Sequence, residues 1–201
     1  MAGGTANRFW PISRESKPKQ FLDIAGTGKS FIRSTYERFS EIVPAKNIFV
    51  VTLARFSYLV RAQIPELPES NLLLEPYARN TAPCIAFATY SILKRNPEAT
   101  VIATPADHII TDEDKFKAAM LKVMEYAESK PALMTIGIHP TEPDTSYGYI
   151  QATRGTESSD ADSPLKVKTF TEKPDKALAE VFCNTGEFFW NSGIFAWKAS
   201  V

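Results

Sequence analysis

A pair of glycines followed by two cations near the start of the chain could bind a polyphosphate. The run Gly3-Gly4-Thr5 precedes Arg8, and Lys19 follows within Pro18-Lys19-Gln20-Phe21. Paired glycines let backbone N–H groups approach phosphate oxygens closely. Arginine can fork across two of those oxygens, whereas lysine acts as a point charge. Taken singly, a glycine pair is more often a turn and such cations are more often solvated, so the interpretation depends on the rest of the sequence.

Asp107 is a candidate metal ligand because of its position after a strand-like run. It follows Thr100–Thr104, so its carboxylate is expected just beyond the carboxyl end of a strand, where α/β sheets bind ligands. A carboxylate that faces a triphosphate can hold Mg²⁺, which bridges phosphate oxygens. An aspartate after a strand also commonly caps a turn. The residues alone leave these two interpretations equal.

Short apolar runs that alternate with helical patterns predict the elements that position these residues. Strands are predicted at Ile48–Thr52, Leu72–Leu74, Thr100–Thr104, Ala132–Ile138, Leu165–Thr171 and Gly193–Trp197. Helices are predicted at Ser30–Val43, Ala54–Ile64, Thr81–Arg95 and Asp112–Ser129, the third with Thr81 as N-cap and Pro83 in its first turn. The alternation predicts an α/β fold, a three-layer α/β/α Rossmann-like sandwich around a mostly parallel mixed sheet.

Two polar segments are predicted to be loops or turns. Thr153–Ser163 has no periodicity and many small polar residues, which is typical of an exposed hairpin or loop. Gly26-Thr27-Gly28-Lys29-Ser30 ends like a nucleotide-binding P-loop, but that motif requires a glycine where Asp23 stands. Gly26–Lys29 is therefore predicted to be a tight turn, and an ATPase site is rejected.

The two ends of the sequence suggest an incomplete domain. A phosphate-binding turn normally follows a buried strand, and here the glycine turn stands at Met1–Gly4 with no strand before it. At the other end, the predicted strand Gly193–Trp197 is followed by only four residues. We expect residues 1–201 to form one domain that lacks a first strand and further C-terminal structure.

The composition excludes several classes of partner. Lysine plus arginine number 23 and aspartate plus glutamate number 23, so there is no electrostatic case for nucleic acid or an anionic membrane. Cys84 and Cys183 form neither a disulfide framework nor a pair with metal-site spacing. The apolar runs are too short to span a membrane, and the N-terminus has no secretory pattern. A cytoplasmic protein is predicted.

Read together, the motifs resemble those of the sugar-phosphate nucleotidyltransferases. The run from Ala2 to Pro11, with Pro18–Leu22, resembles the N-terminal signature of the sugar-nucleotide pyrophosphorylases. Trp10-Pro11-Ile12-Ser13-Arg14-Glu15 resembles the mannose-1-phosphate guanylyltransferase branch. Further motifs follow in the order of the family: Leu74–Pro83, Thr104–His108, Ser146–Ile150, Phe170–Pro174 and Trp190–Phe195.

The resemblance implies a role for each motif and a nucleotide-diphospho-sugar transferase type of fold. It implies that the nucleotide is bound by Gly3, Gly4, Thr5, Arg8, Lys19, Glu75, Arg79, Asn80 and Thr81. It implies that the sugar phosphate is bound by Tyr147, Gly148, Glu172, Lys173 and Asn191. Arg8, Lys19 and Asp107 would be catalytic, with Asp107 holding Mg²⁺ and a second metal-binding aspartate lying beyond Val201. His108 is expected to be structural or a neighbour of the metal ligand.

The implied reaction transfers GMP from GTP to mannose 1-phosphate and yields GDP-mannose and pyrophosphate. Ala6 stands where the family usually has a third glycine, and Asn7 where threonine is common. If position 6 requires a positive φ, alanine there costs on the order of 1 kcal/mol. Two alternatives remain open: a glucose-1-phosphate thymidylyl- or uridylyltransferase of the same fold, and a non-catalytic subunit that binds a nucleotide sugar. The resemblance also leaves a homo-oligomer open.

Overall fold

The structure, a computed structural model, describes residues 1–3, 9–153 and 163–201, and these form two compact units. The first unit comprises Met1–Met134 with Ala196–Val201, and the second comprises Thr135–Phe195. The proposed roles of Gly4, Thr5 and Arg8, the departures at Ala6 and Asn7, and most of the predicted loop Thr153–Ser163 lie outside the described residues. Within the part of the chain that is described, no helix has the length and apolar character needed to cross a bilayer.

The first unit packs helices around short strands. Its helices are α1 (Phe31–Ser40), α2 (Ser57–Gln63), α3 (Thr81–Leu93) and α4 (Glu113–Ser129), and its strands are β1 (Val50–Leu53), β2 (Leu72–Glu75) and β3 (Thr100–Ala103). Strands β1 and β2 pair in parallel, with Val50 opposite Leu72. The core beneath them includes Phe21, Tyr36, Phe56, Val60 and Ile64.

The helices of the first unit begin where polar side chains can cap them. Ser30 Oγ accepts a hydrogen bond from the Arg33 amide at the start of α1, and the Asp112 carboxylate accepts from the Lys115 amide at the start of α4 (3.0 Å). The prediction for α3 was wrong by one residue: Asn80, not Thr81, is the N-cap, although its side chain makes no capping hydrogen bond. Asn80 turns the chain into the helix with a φ of 66° and a ψ of −169°, a backbone conformation that is otherwise nearly confined to glycine.

The second unit contains four strands and one helix among its described residues. Its elements are β4 (Met134–Ile138), β5 (Tyr149–Thr153), β6 (Lys166–Thr171), α5 (Lys176–Thr185) and β7 (Phe188–Lys198). Strand β5 pairs antiparallel with both β6 and β7. The buried Tyr149, Ala179, Phe182 and Phe188 form its core. Strand β7 continues past Phe195, and its last residues belong to the first unit.

The α/β class and the mixed sheet are confirmed. Five of the six predicted strands are present with ends within two residues of the prediction, and the last begins five residues earlier, at Phe188. Ala54–Ile64 is a short 3₁₀ turn (Ala54–Phe56) followed by α2. Strand β5 and helix α5 were not predicted as elements.

The turn at Gly26–Lys29 is confirmed. Gly26 and Gly28 adopt positive φ angles of 68° and 81°. The Asp23 carboxylate accepts hydrogen bonds from the amides of Thr27 (3.0 Å) and Gly28 (2.7 Å). The Asp23 carboxylate therefore accepts hydrogen bonds from the Thr27 and Gly28 amides, whereas in a P-loop such amides donate to phosphate.

Candidate active site

The segment that leads into the glycine pair is held by buried hydrogen bonds. The Ala2 amide donates to the Val51 carbonyl (2.8 Å). The Ala2 carbonyl accepts from the Gln20 side-chain amide (2.8 Å) and from the Thr52 hydroxyl (3.0 Å). Ala2, Gln20 and Thr52 are all buried. Because the backbone is fixed here, Gly3 starts from a defined position at this edge of the first unit.

Gln20 and Thr52 are positioning residues that sequence reasoning missed. Thr52 is a polar residue in the otherwise apolar strand β1 and is completely buried. Gln20 stands beside the proposed phosphate ligand Lys19 and is also buried. The signal for both was a polar side chain in a buried setting, but their shared partner is a backbone carbonyl that no sequence motif specifies.

Lys19 and Asp107 meet beside this anchored segment. Lys19 lies in a 3₁₀ turn (Lys19–Phe21), next to the anchor residue Gln20. The Lys19 ammonium is 2.5 Å from Asp107 Oδ2, and the two side chains are 28% and 23% exposed. The Ala106 amide donates to the Met1 carbonyl (3.1 Å), which ties the segment carrying Asp107 to the N-terminus. The structure thus brings together Gly3, Lys19 and Asp107, which sequence reasoning placed at one site without predicting the ion pair.

The donor chemistry at Asp107 fits Mg²⁺ bound together with a substrate. Within residues 1–3, 9–153 and 163–201, no group of three or more His, Cys, Asp or Glu side chains is arranged to hold a metal ion. Magnesium commonly uses one or two carboxylates and completes its shell with phosphate oxygens and water. A single, partly exposed carboxylate beside a proposed phosphate site matches that mode. Burial lowers the pKa of the neighbouring His108, which favours its neutral form.

Glu75 lies against the glycine turn. It is the last residue of β2 and is 8% exposed. A Cβ added to Gly3 would stand 3.5 Å from Glu75 Oε2. Arg79, Asn80 and Thr81 lie instead in the exposed segment at the start of α3. The structure therefore places Glu75 at the turn, whereas the other three proposed nucleotide ligands are exposed to solvent at the start of α3.

Cys84 is expected to be inert towards alkylating reagents in the folded protein. Its thiol is buried beside Glu75, and burial first, with the charge of Glu75, raises its pKa to about 11. Because the thiolate is the nucleophile, iodoacetamide at pH 8 should modify the partly exposed Cys183 and leave Cys84 intact. Peptide mass spectrometry checks this, with the urea-unfolded chain as the control in which both react. Rapid modification of Cys84 in the folded state would contradict the burial.

In the second unit, three proposed sugar ligands converge at strand ends. The backbone N–H of Asn191 donates to the Gly148 carbonyl (2.7 Å). A Cβ added to Gly148 would stand 2.9 Å from Glu172 Oε2 and 3.6 Å from the Asn191 Cβ. The close approach of Glu172 and Asn191 requires a residue without a side chain at position 148. The result is a compact group of one carboxylate, one amide side chain and open backbone.

Lys173 is the cation of this group. Its ammonium is 2.8 Å from Glu172 Oε1, and the two side chains are 51% and 71% exposed. Its backbone has a φ of 44°, an uncommon value for a residue other than glycine. Exposed ion pairs contribute little to stability, so Lys173 can exchange Glu172 for a phosphate group at small cost.

An aromatic pair flanks the group. The Tyr147 ring packs on the Trp190 ring, with centroids 4.9 Å apart and planes inclined by 37°. Tyr147 remains 44% exposed, so one part of its ring is open to a ligand.

The Asn191 side-chain oxygen accepts from the Gly193 amide (2.9 Å), which fixes its orientation. All five proposed sugar-phosphate residues therefore lie in the second unit around one group of polar atoms.

A family model and a curated relative both match this chain to nucleotidyltransferases. The nucleotidyl transferase family matches residues 1–200. A mannose-1-phosphate guanylyltransferase of Klebsiella pneumoniae is 40% identical over 193 residues, which are 94% of this chain and 40% of the relative. The chain therefore spans less than half the length of this curated relative.

Two solved structures share the fold. A Thermus thermophilus protein described as a mannose-1-phosphate geranyltransferase has a TM-score of 0.87 and 32% identity, over 100% of this chain and 56% of its own. A mannose-6-phosphate isomerase of Helicobacter pylori has a TM-score of 0.77 and 30% identity, over 93% of this chain and 68% of its own. Because the family match covers nearly every residue, the chain belongs to the nucleotidyl transferase family.

Proposed function

We propose that residues 1–201 form the catalytic domain, or a large part of it, of an enzyme that transfers GMP from GTP to mannose 1-phosphate. The products would be GDP-mannose and pyrophosphate. The observation that carries the proposal is the Lys19–Asp107 pair held beside the anchored Ala2–Gly3 segment. The choice of mannose rests on the relative and the two neighbours whose names contain a mannose phosphate. The choice of guanine rests on the guanylyltransferase of Klebsiella pneumoniae.

The chemistry requires positioning and neutralisation of charge more than covalent help from the protein. An oxygen of the sugar 1-phosphate attacks the α-phosphorus of GTP, a new P–O bond forms, and the bond to the β-phosphate breaks as pyrophosphate leaves. The attacking oxygen arrives ionised, so no side chain has to remove a proton. In the first unit, Lys19 would hold phosphate oxygens together with the glycine-turn amides. Arg8, outside the described residues, is proposed as the second cation.

Asp107 would hold the metal ion. Enzymes of this family generally use a divalent metal, and we propose Mg²⁺ because the available donor is a carboxylate oxygen. When bound, Mg²⁺ neutralises phosphate charge as it develops. Asp107 also fixes the ammonium of Lys19 at 2.5 Å. The Asp107 carboxylate can therefore orient the Lys19 ammonium before the nucleotide binds, and afterwards the ammonium can contact both Asp107 and the phosphates.

The second unit would bind the sugar phosphate. Lys173 is proposed to hold its phosphate, while Glu172 and Asn191 bind sugar hydroxyls. Glu172 accepts hydrogen bonds, and the Asn191 amide group can donate, so the two suit groups that both donate and accept. Gly148 leaves room for the sugar ring against the backbone, and the open part of the Tyr147 ring flanks it.

Lys173→Ala is expected to raise the apparent KM for mannose 1-phosphate by about 10–100-fold, the loss of one charge-assisted contact to phosphate. The KM for GTP should stay within about twofold of its original value. Folding should be unaffected because the Lys173–Glu172 pair is exposed. Initial-rate kinetics with each substrate varied in turn measure both constants. Lys176→Ala, at the exposed start of α5, is the matched control, and equal effects on the two KM values would remove Lys173 from the sugar-phosphate site.

Release of pyrophosphate tests the proposed function. The chain, with Mg²⁺, should release pyrophosphate from GTP only when mannose 1-phosphate is present. Faster release from dTTP or UTP with glucose 1-phosphate would point to the thymidylyl- or uridylyltransferase alternative. Tight binding of GDP-mannose without pyrophosphate release would favour a non-catalytic subunit. We also propose a cytoplasmic location, with which the two free cysteines agree.

A further inference from the structure

The loop between β4 and β5 carries the open aromatic side of the proposed sugar site. This β4–β5 loop, residues 139–148, contains no helix or strand of its own. Tyr147, near its end, packs on Trp190 and stays partly exposed. A loop of this length has many accessible conformations, and fixing the backbone of each residue costs entropy. The position of Tyr147 therefore depends on the contacts that hold the loop.

A buried hydroxyl holds the middle of the β4–β5 loop. Tyr149, the first residue of β5, is completely buried, and its O–H donates to the Asp144 carbonyl (2.9 Å). Its ring packs on Phe182 of α5, with centroids 5.3 Å apart. Phe182 in turn stacks on Phe188, with centroids 3.9 Å apart. Because this aromatic core fixes the Tyr149 ring, the hydroxyl donates its hydrogen bond from a defined point.

Two further hydrogen bonds hold the loop on either side of that point. The Cys183 thiol of α5 donates to the Glu142 carbonyl (3.3 Å). The backbone N–H of Asn191 in β7 donates to the Gly148 carbonyl (2.7 Å). Tyr147 lies between this last carbonyl and the one that the buried hydroxyl binds. The segment that carries Tyr147 is therefore held at both of its ends.

We propose that Tyr149 is a positioning residue of the sugar site: its hydroxyl holds the β4–β5 loop in the conformation that places Tyr147 beside the sugar phosphate. This inference rests on the proposed function, which assigns the sugar phosphate to Tyr147. A loop that is held before the ligand arrives loses less conformational entropy when the ligand binds, so the affinity is higher. Because Tyr149 is completely buried, it acts through Tyr147 and not by contact with the ligand.

Tyr149→Phe removes the hydroxyl and keeps the ring that packs on Phe182. The apparent KM for mannose 1-phosphate should rise about fivefold, the usual effect of one lost hydrogen bond, while kcat and the KM for GTP stay within about twofold. Tyr90→Phe, which removes an exposed hydroxyl from α3, is the matched control and should change none of these constants. Initial-rate kinetics measure all three. An unchanged KM for mannose 1-phosphate, or an equal rise in the KM for GTP, would overturn the proposal.

A double-mutant cycle decides whether Tyr149 acts through Tyr147. In a chain that already carries Tyr147→Ala, the further change Tyr149→Phe should raise the KM for mannose 1-phosphate by less than about twofold, because the side chain that it positions is gone. If the two changes had additive effects, Tyr149 would act independently of Tyr147, contrary to the proposal.

Hydrogen exchange measures the loop without any turnover. The Asp144 amide donates to the Glu142 carbonyl (2.9 Å) and the Ser146 amide to the Asp144 carboxylate (2.6 Å), so both amides report on the folded loop. In Tyr149→Phe they should exchange at least about threefold faster than in the unchanged chain. The Phe182 amide within α5 should exchange at its original rate.

Equal exchange of the loop amides in the two proteins would overturn the proposal, and so would faster exchange throughout α5, which would indicate a general loss of packing. A failure of the proposed function would look different. The unchanged chain would then release no pyrophosphate from GTP and mannose 1-phosphate, while the exchange of the Asp144 and Ser146 amides would still decide whether the Tyr149 hydroxyl holds the loop.

Discussion

Asp107→Asn is expected to lower the turnover of GTP and mannose 1-phosphate by a factor on the order of 10²–10³, the usual loss when a preorganised electrostatic group is removed. Asparagine keeps the size of the side chain but carries no charge. It would hold Mg²⁺ more weakly and would leave Lys19 without the partner that now lies 2.5 Å away. Steady-state rates of pyrophosphate release measure the effect, and raising the Mg²⁺ concentration should restore part of the rate.

Stability separates this effect from misfolding. Both members of the Lys19–Asp107 pair are about a quarter exposed, so water can still reach Lys19 when the pair is broken, and the loss of stability should be on the order of 1–2 kcal/mol, between the values for exposed and buried pairs. Asp114→Asn, on the exposed first turn of α4, is the matched control and should keep full activity. Full activity of Asp107→Asn at limiting Mg²⁺ would remove Asp107 from the metal site and return it to the role of a turn cap.

Gly148→Ala is expected to raise the apparent KM for mannose 1-phosphate by about tenfold, which corresponds to about 1.4 kcal/mol of lost binding. The new methyl group would stand 2.9 Å from Glu172 Oε2 and would push this side chain away from Lys173. It would also fill the space proposed for the sugar ring. The KM for GTP should not change, because the proposed nucleotide ligands belong to the other unit. Initial-rate kinetics measure both constants.

The matched control is Gly28→Ala. Nothing lies within 4 Å of a Cβ at this position, but its φ of 81° makes alanine unfavourable by about 1 kcal/mol. This variant should lose stability without any change in either KM. If Gly148→Ala and Gly28→Ala had the same kinetic profile, the close approach at Gly148 would be a feature of packing and not of substrate binding.

The elements with clear local signals could be predicted from the sequence. Asp112–Ser129 has apolar residues at helical spacing and an aspartate at its start, and the structure has α4 with Asp112 as N-cap. Helix α5 was missed although it has both an N-cap, Asp175, and a glycine, Gly186, in the left-handed conformation at its end. The motif before it, Phe170–Pro174, resembles a ligand-binding motif and gives no helical pattern of its own.

The residues of the candidate site could be named from motifs, but their contacts could not. Lys19 and Asp107 are 88 positions apart in the sequence, and hydrogen bonds of Met1 to Ala106 and of Gln20 to Ala2 bring their segments together. Gln20 and Thr52 were missed because they converge on the carbonyl of Ala2, a group that every residue type carries. Long-range partners of this kind are decided by tertiary packing and not by the local pattern.

Thermal stabilisation by nucleotide sugars tests the central claim most directly. The chain would be melted with GDP-mannose, dTDP-glucose or UDP-glucose, each with and without Mg²⁺. A ligand at about 100 times its Kd stabilises the folded state by about 2.7 kcal/mol, which is about 5–10 °C for a chain of this size. We predict that, of the three nucleotide sugars, only GDP-mannose gives such a shift and that Mg²⁺ increases the shift. A larger shift with dTDP-glucose or UDP-glucose, or no shift with any of the three, would contradict the proposed guanylyltransferase site.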